Sequence, residues 1–149
     1  MALFRNVKGG TRTNDSAATG QVGEFQTAAL ASGSATSLTT ATEKTIISVS
    51  LTAGDWDVWG GVVFLFAATT VPTRIRAGIS TTNNTLVAAP DGGDVFMDAT
   101  FTTASTQALQ TGCARISIAA TTTVYLVAYA VFTTSTTTAY GSIYARRAR

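Results

Sequence analysis

LTAGDWDVWGGVVFLF, residues 51–66, is a turn followed by a strand with no polar side. Ala53, Gly54 and Asp55 carry turn chemistry, and the β-branched and aromatic run behind them continues until residues 67–72 break it. At a period of two, Trp56, Val58, Gly60, Val62, Phe64 and Phe66 share one face, and Asp57, Trp59, Gly61, Val63 and Leu65 share the other. An antiparallel strand lying on a single core alternates apolar with polar side chains. This strand is apolar on both faces, so it asks for two partner surfaces. One is the core of its own domain, and the other is expected to belong to a neighbouring subunit. The sequence leaves open which set faces which way.

Upstream, KTIISVSL at 44–51 sets Ile46, Ser48 and Ser50 against Ile47, Val49 and Leu51, a strand with one face on a core. The short link through Ala53 and Gly54 predicts antiparallel pairing between it and the strand that follows. Earlier still, residues 24–30 read as a strand, residues 31–34 as a small-residue link, and Leu38 as the centre of a second short segment. Downstream, Pro72 marks a break, and TRIRAGIST at 73–81 puts Arg74 and Arg76 opposite Ile75, Ala77 and Ile79. VFMDATF at 95–101 and ARISIA at 114–119 read as strands, with 102–112 as a loop between them. TTVYLVAYAVF at 122–132 is apolar on both faces and is the counterpart of 51–66. In TTAYGSIYA at 137–145, Tyr140 and Tyr144 lie opposite Ala139, Gly141, Ile143 and Ala145. No segment carries a helical stripe, so the class is all-β, a sandwich or barrel.

Composition agrees. The 149 residues fit one domain, 46% are hydrophobic, and about one in five is threonine, a strand former. Only 12% are charged, about half the usual share, which implies much surface hidden by neighbours. The formal net charge of +2 and the scattered basic residues exclude nucleic acid as the expected partner. The longest apolar run, 61–68, falls far short of the ~20 residues of a membrane-spanning helix, and the first residues have no apolar leader, so a soluble, non-exported protein is expected.

Chemistry is sparse. The chain has no histidine and a single cysteine, Cys113, which rules out an internal disulfide, a zinc cluster and Ser-His or Cys-His nucleophiles. No enzymatic activity and no cofactor are expected. Asp55, in the turn, is expected to accept nearby backbone N–H groups, with Asp57 flanking the strand start. Asp91, Asp94 and Asp98, around Gly92 and Gly93, lack EF-hand spacing and read as solvated loop carboxylates in preference to a cation site. Arg146, Arg147 and Arg149 read as a solvated or interface-pairing terminus. Trp56, Trp59, Tyr125, Tyr129, Tyr140 and Tyr144 are too poorly interleaved with Lys and Arg for a base-stacking platform, so a core and a subunit interface are their expected places. The interface set is Trp59, Val63, Leu65, Tyr125, Val127, Tyr129, Tyr140 and Tyr144. Residues 1–22 show no periodicity and read as an N-terminal arm, in which Leu3 and Phe4, flanked by Arg5 and Lys8, are candidate docking residues.

LTAGDWDVWGGVVF at 51–64, GIST at 78–81 and TTTVYLVAYAVFTTSTTTAYGSIYARRAR at 121–149 resemble a domain of tailed-phage virion proteins, found in tail fibres and capsid-decorating proteins. The resemblance covers residues 23–149, and the pattern is also similar to the jelly roll of C1q and tumour necrosis factor. It implies a jelly-roll β-sandwich of about eight to ten strands at 23–149, assembled as a homotrimer. It implies a place on the virion exterior after assembly in the bacterial cytoplasm. An arm plus one domain, with no coiled-coil shaft before it, fits a capsid decoration or head-spike protein whose arm docks on the major capsid protein or another virion protein. The alternative is a receptor-binding tip, contacting host surface glycan through Asn83, Asn84, Asp91 and Asp94. A cellular or secreted C1q-like binding module is a third class, disfavoured by the absence of a leader.

Overall fold

The computed structural model describes residues 17–88 and 91–149. The arm residues Leu3, Phe4, Arg5 and Lys8 lie outside them. Ten strands follow in order: β1 (Phe25–Leu30), β2 (Thr36–Leu38), β3 (Lys44–Leu51), β4 (Gly54–Phe66), β5 (Val71–Ser80), β6 (Val95–Asp98), β7 (Thr106–Gln110), β8 (Ala114–Ile118), β9 (Thr122–Thr133) and β10 (Thr137–Arg147). They form two antiparallel sheets. The first runs β1, β10, β4, β7, with β2 also on β10 and β8 also on β4; the second runs β3, β9, β5, β6. Taking β7 and β8 as two halves of one position, and β2 as an extension of β1, this order is a jelly roll.

The two strands without a polar side are central strands, one in each sheet. β4 lies between β10 and the β7/β8 position, and β9 lies between β3 and β5. The inward set of β4 is the Trp56 set, with Trp56, Val58 and Phe64 fully buried. From the opposite sheet, β9 contributes Val124, Leu126, Ala128 and Ala130, all without exposed surface. Gly60 and Gly141 let the layers and strands close up. A Cβ on Gly60 would lie 3.0 Å from a methyl of Leu126, and one on Gly141 only 2.1 Å from the carbonyl oxygen of Gly61. No L side chain larger than hydrogen fits at Gly141 without moving backbone.

Several expectations are corrected. Residues 44–51 and 51–66 do not pair; β3 bonds to β9 and β4 to β10, so the link at Thr52 and Ala53 crosses from one sheet to the other. A short link is compatible with a hairpin, but apolar faces on both strands can also be satisfied by stacking across the core. Pro72 does not stop the chain, because it lies within β5 beside a shift of register between Pro72 and Arg74. Such irregular positions dispense with a ladder N–H. The loop expected at 102–112 contains β7, whose sequence TQALQ buries only Leu109 and so has little apolar signal. β6 ends at Asp98, short of Phe101, and β10 runs two residues past Ala145.

Candidate functional site

The chain has no histidine, and the distinctive chemistry of the described residues lies on the two outer faces of the sandwich and at one end. Among the described residues, no group of three Cys, Asp or Glu side chains is placed to hold a metal ion. No helix among them is long and apolar enough to cross a membrane.

On the outer face of the first sheet, strand alternation and register bring one apolar set together. Tyr144 lies opposite Trp59, Tyr140 opposite Val63, and Val63 opposite Ala108. Phe25, on the neighbouring β1, joins Trp59 and Tyr144 in a ring cluster with centroids 6.0–6.3 Å apart. These are favourable aromatic spacings. Phe25 stands out from the sheet at 43% exposure, and Trp59, Val63, Leu65, Tyr140 and Tyr144 are half-buried. Beside the cluster lies a depression of about 320 Å³ floored by Gly61 and bounded by Val63, Gln110, Tyr140 and Tyr144. Charge enters this face only near one end, where Arg146 lies opposite Asp57 and Asp57 opposite Arg115.

The other outer face differs. It carries Arg74, paired with Asp98, and Arg76, whose Nε lies 2.8 Å from a carboxylate oxygen of Asp94. The chain also covers part of it. Thr45 N–H donates to Asn84 Oδ1 at 2.8 Å, Thr45 Oγ1 donates to Asn83 Oδ1 at 2.7 Å, and Leu86 N–H donates to Glu43 at 2.8 Å. Thus strapped down, the 82–88 loop sets Leu86 over Gly78, 2.9 Å from where a Cβ would sit. Val127, opposite Gly78 in the ladder, has no exposed surface and offers nothing to a neighbouring chain. Of the eight interface candidates, Trp59, Val63, Leu65, Tyr140 and Tyr144 therefore share one face, while Tyr125, Val127 and Tyr129 lie on the opposite side of the molecule.

The four loop residues considered for ligand contact do not converge. Asn83 and Asn84 anchor the strap, Asp94 is 1% exposed in its pair with Arg76, and Asp91 lines a separate cleft of about 460 Å³ with Cys113 and Arg115. The reading of this loop as solvated carboxylates therefore fails for the Asp94 side chain, which Arg76 on β5 draws in.

The end of the sandwich holds a charged cluster that the sequence reading missed. Arg147 is 4% exposed, its Nε donates to Glu24 at 2.9 Å, and its other nitrogens donate to the Ala53 carbonyl and the Thr52 hydroxyl. Its guanidinium lies 4.4 Å from the Trp56 ring centroid, and the indole N–H of Trp56 donates to the Thr52 carbonyl at 2.9 Å. Gly54, at φ +149°, has a backbone that L side chains rarely adopt, and a Cβ there would lie 1.8 Å from an Arg147 nitrogen and push the guanidinium from its place. Asp55, in place of bonding backbone in its turn, accepts from Arg115 and Arg149. Residues 17–23, read with the arm, turn back onto this cluster: Gly20 N–H donates to Glu24 and Gly23 N–H to the Arg147 carbonyl.

Burial would raise the Glu24 pKa, but hydrogen bonds from Gly20 N–H, Arg147 and Gln26 outweigh it and hold the carboxyl below its ordinary value. The hydrogen bond from Arg115 depresses Asp55, with partial burial opposing and Arg149 adding to the depression. Both folded-state pKa values thus lie below the unfolded ones, so their stabilisation is complete above the unfolded pKa and is lost as pH falls through the folded values. Melting temperature is expected to be flat from neutrality to about pH 5 and to fall below about pH 4, where model carboxylates titrate. Glu24→Gln should flatten part of that acid limb in a pH series of thermal melts.

The strand order and buried core define a jelly-roll β-sandwich. The particular likeness is to a structure of infectious bursal disease virus, Gx strain, with a TM-score of 0.51 and 12% identity over 84% of this chain and 32% of that one. A mutant VP2 protein of infectious bursal disease virus, in derived T=1 particles, aligns with a TM-score of 0.40 and 14% identity over 81% of this chain and 28% of that one. This chain spans about a third of the length of those chains, and at such identity the likeness is one of fold. No family model matches the sequence, and no curated protein matches it. The jelly-roll sandwich expected from sequence is the fold observed; the tailed-phage and C1q resemblances are finer than this likeness.

Proposed function

We propose that this chain is a structural protein of a bacteriophage virion, a homotrimer that decorates the capsid exterior and docks through its N-terminal arm. The observation that carries the reading is the uncharged aromatic and aliphatic surface of Phe25, Trp59, Val63, Tyr140 and Tyr144, left half-covered on a jelly roll that already buries a complete core. Contiguous apolar surface of this kind marks an assembly interface. The viral capsid-type fold and the low charge content support the same reading. The glycan-binding tip is less favoured, because the side-chain oxygens of Asn83 and Asn84 and the carboxylate of Asp94 are already bonded within the chain.

Leu3, Phe4, Arg5 and Lys8 are the proposed docking residues of the arm. Removing residues 1–16 tests them and spares the Gly20–Glu24 turn. The truncated protein is expected to sediment as a trimer, three times the 15.4 kDa of one chain less the deleted arms, and to lose binding to virion particles stripped of the protein. Normal occupancy of particles by the truncated protein would remove the arm from the reading, and a full-length chain that sediments as a monomer at micromolar concentration would remove the trimer.

A further inference from the structure

The two outer faces are unequal in a way that identifies one occupant. The chain straps its own 82–88 loop across the face carrying Val127, but among the described residues it lays no comparable loop across the face carrying Trp59 and Tyr144. Charge on that face is confined to one end, where Asp57 stands between Arg146 and Arg115, and among the described residues the rows from Trp59 to Leu65 carry none. A strongly acidic or basic partner has nothing there to recognise. The face also has relief of both signs. Phe25 protrudes from the edge strand, and the Gly61 depression lies four residues further along β4 and two strands across, roughly 16 Å away by ordinary strand rise and spacing. Gly61 and the Gln110 amide share its floor: the amide lies over the glycine, 2.5 Å from where a Cβ would sit, so it is the absent Gly61 side chain that gives the amide its place. The walls, Val63, Tyr140 and Tyr144, are apolar or aromatic, the lining that suits a phenyl ring.

We propose that this face binds a second copy of the chain, with Phe25 of one copy seated in the Gly61 depression of the next. A knob and a notch on one surface can meet reciprocally across a twofold axis or pass from copy to copy around a ring, and the trimer proposed above takes the second arrangement. The inference deepens the assembly role proposed above and rests on it, since it names the surface and the side chain through which copies join. Trp59 and Tyr144 then fill the space behind the inserted ring and become fully buried.

The test is sedimentation of the full chain with three variants. Phe25→Ala removes the knob, and Ser142→Trp, on the depression's rim, fills the notch; each is expected to weaken self-association by about 30-fold or more, the effect of losing a central aromatic anchor. Phe96→Ala, an exposed aromatic on the other sheet, is expected to leave the trimer intact. Circular dichroism shows whether each variant is folded. In a Cys113→Ser background, Phe25→Cys with Gln110→Cys is expected to give disulfide-linked trimers on oxidation. If wild type is trimeric and Phe25→Ala and Ser142→Trp remain so, or the folded cysteine pair forms no interchain bond, the contact is wrong and the assembly role stands with another surface. If wild type is monomeric, both the contact and the assembly role are overturned.

Discussion

Trp56→Ala is expected to lower stability by about 4 kcal/mol, a large part of the total for a domain of this size. Trp56 has no exposed surface, sits on the inward face of a central strand, and is the largest of the fully buried side chains. Its loss opens a cavity between the sheets at the end where the chain crosses from β3 to β4. The same change removes the aromatic surface under the Arg147 guanidinium and the donor to the Thr52 carbonyl, so the crossing link loses a tie as well as its packing. Urea unfolding followed by circular dichroism measures the effect. A cost under about 1 kcal/mol would mean that the site collapses freely around the gap, contrary to the close packing described here.

Arg147→Ala is the second large effect, expected at about 3 kcal/mol. The substitution leaves Glu24 buried without its cation and abandons the bonds to Ala53 and Thr52. Most of that cost is the stranded carboxylate, so adding Glu24→Gln should recover a good part of it. Because Arg147 stacks on Trp56, the Trp56→Ala and Arg147→Ala costs are expected to fall short of additive, by about 1 kcal/mol in a double-mutant cycle. Additive costs would show that the stacking contributes little. A melt of Arg147→Ala that matched wild type would contradict the clamp.

The legible part of this structure was the part written in alternation. Trp56, Val58, Val62, Phe64 and Phe66 form one face on a period of two, and that face is the core. Tyr140 and Tyr144 oppose Ala139, Gly141 and Ile143 as the pattern required. Alternation says which residues share a face but not which strand lies alongside, so β3 and β4 were joined in a hairpin that the molecule replaces with a crossing. β7 was missed because burying one leucine among Thr, Gln and Ala leaves almost no pattern to detect. Arg147 was misjudged by its chemistry. Its parity with Ala139, Gly141, Ile143 and Ala145 placed it on the inward face, and following that parity to the end of the strand would have found it. The pairing of Glu24 with Arg147 spans 123 positions, which no local signal encodes.

The position of β10 also governs when the domain can exist. It is the last strand along the sequence, yet it lies between β1 and β4 and bonds to β2 as well. During synthesis, β1, β2 and β4 therefore emerge without the neighbour that unites them, and the first sheet stays divided until the chain has been made through Arg147. At about 5–20 residues per second, the apolar faces of β4 wait several seconds for that strand. The long-range pairing then has to form in one late step, which predicts slow folding for the domain's size.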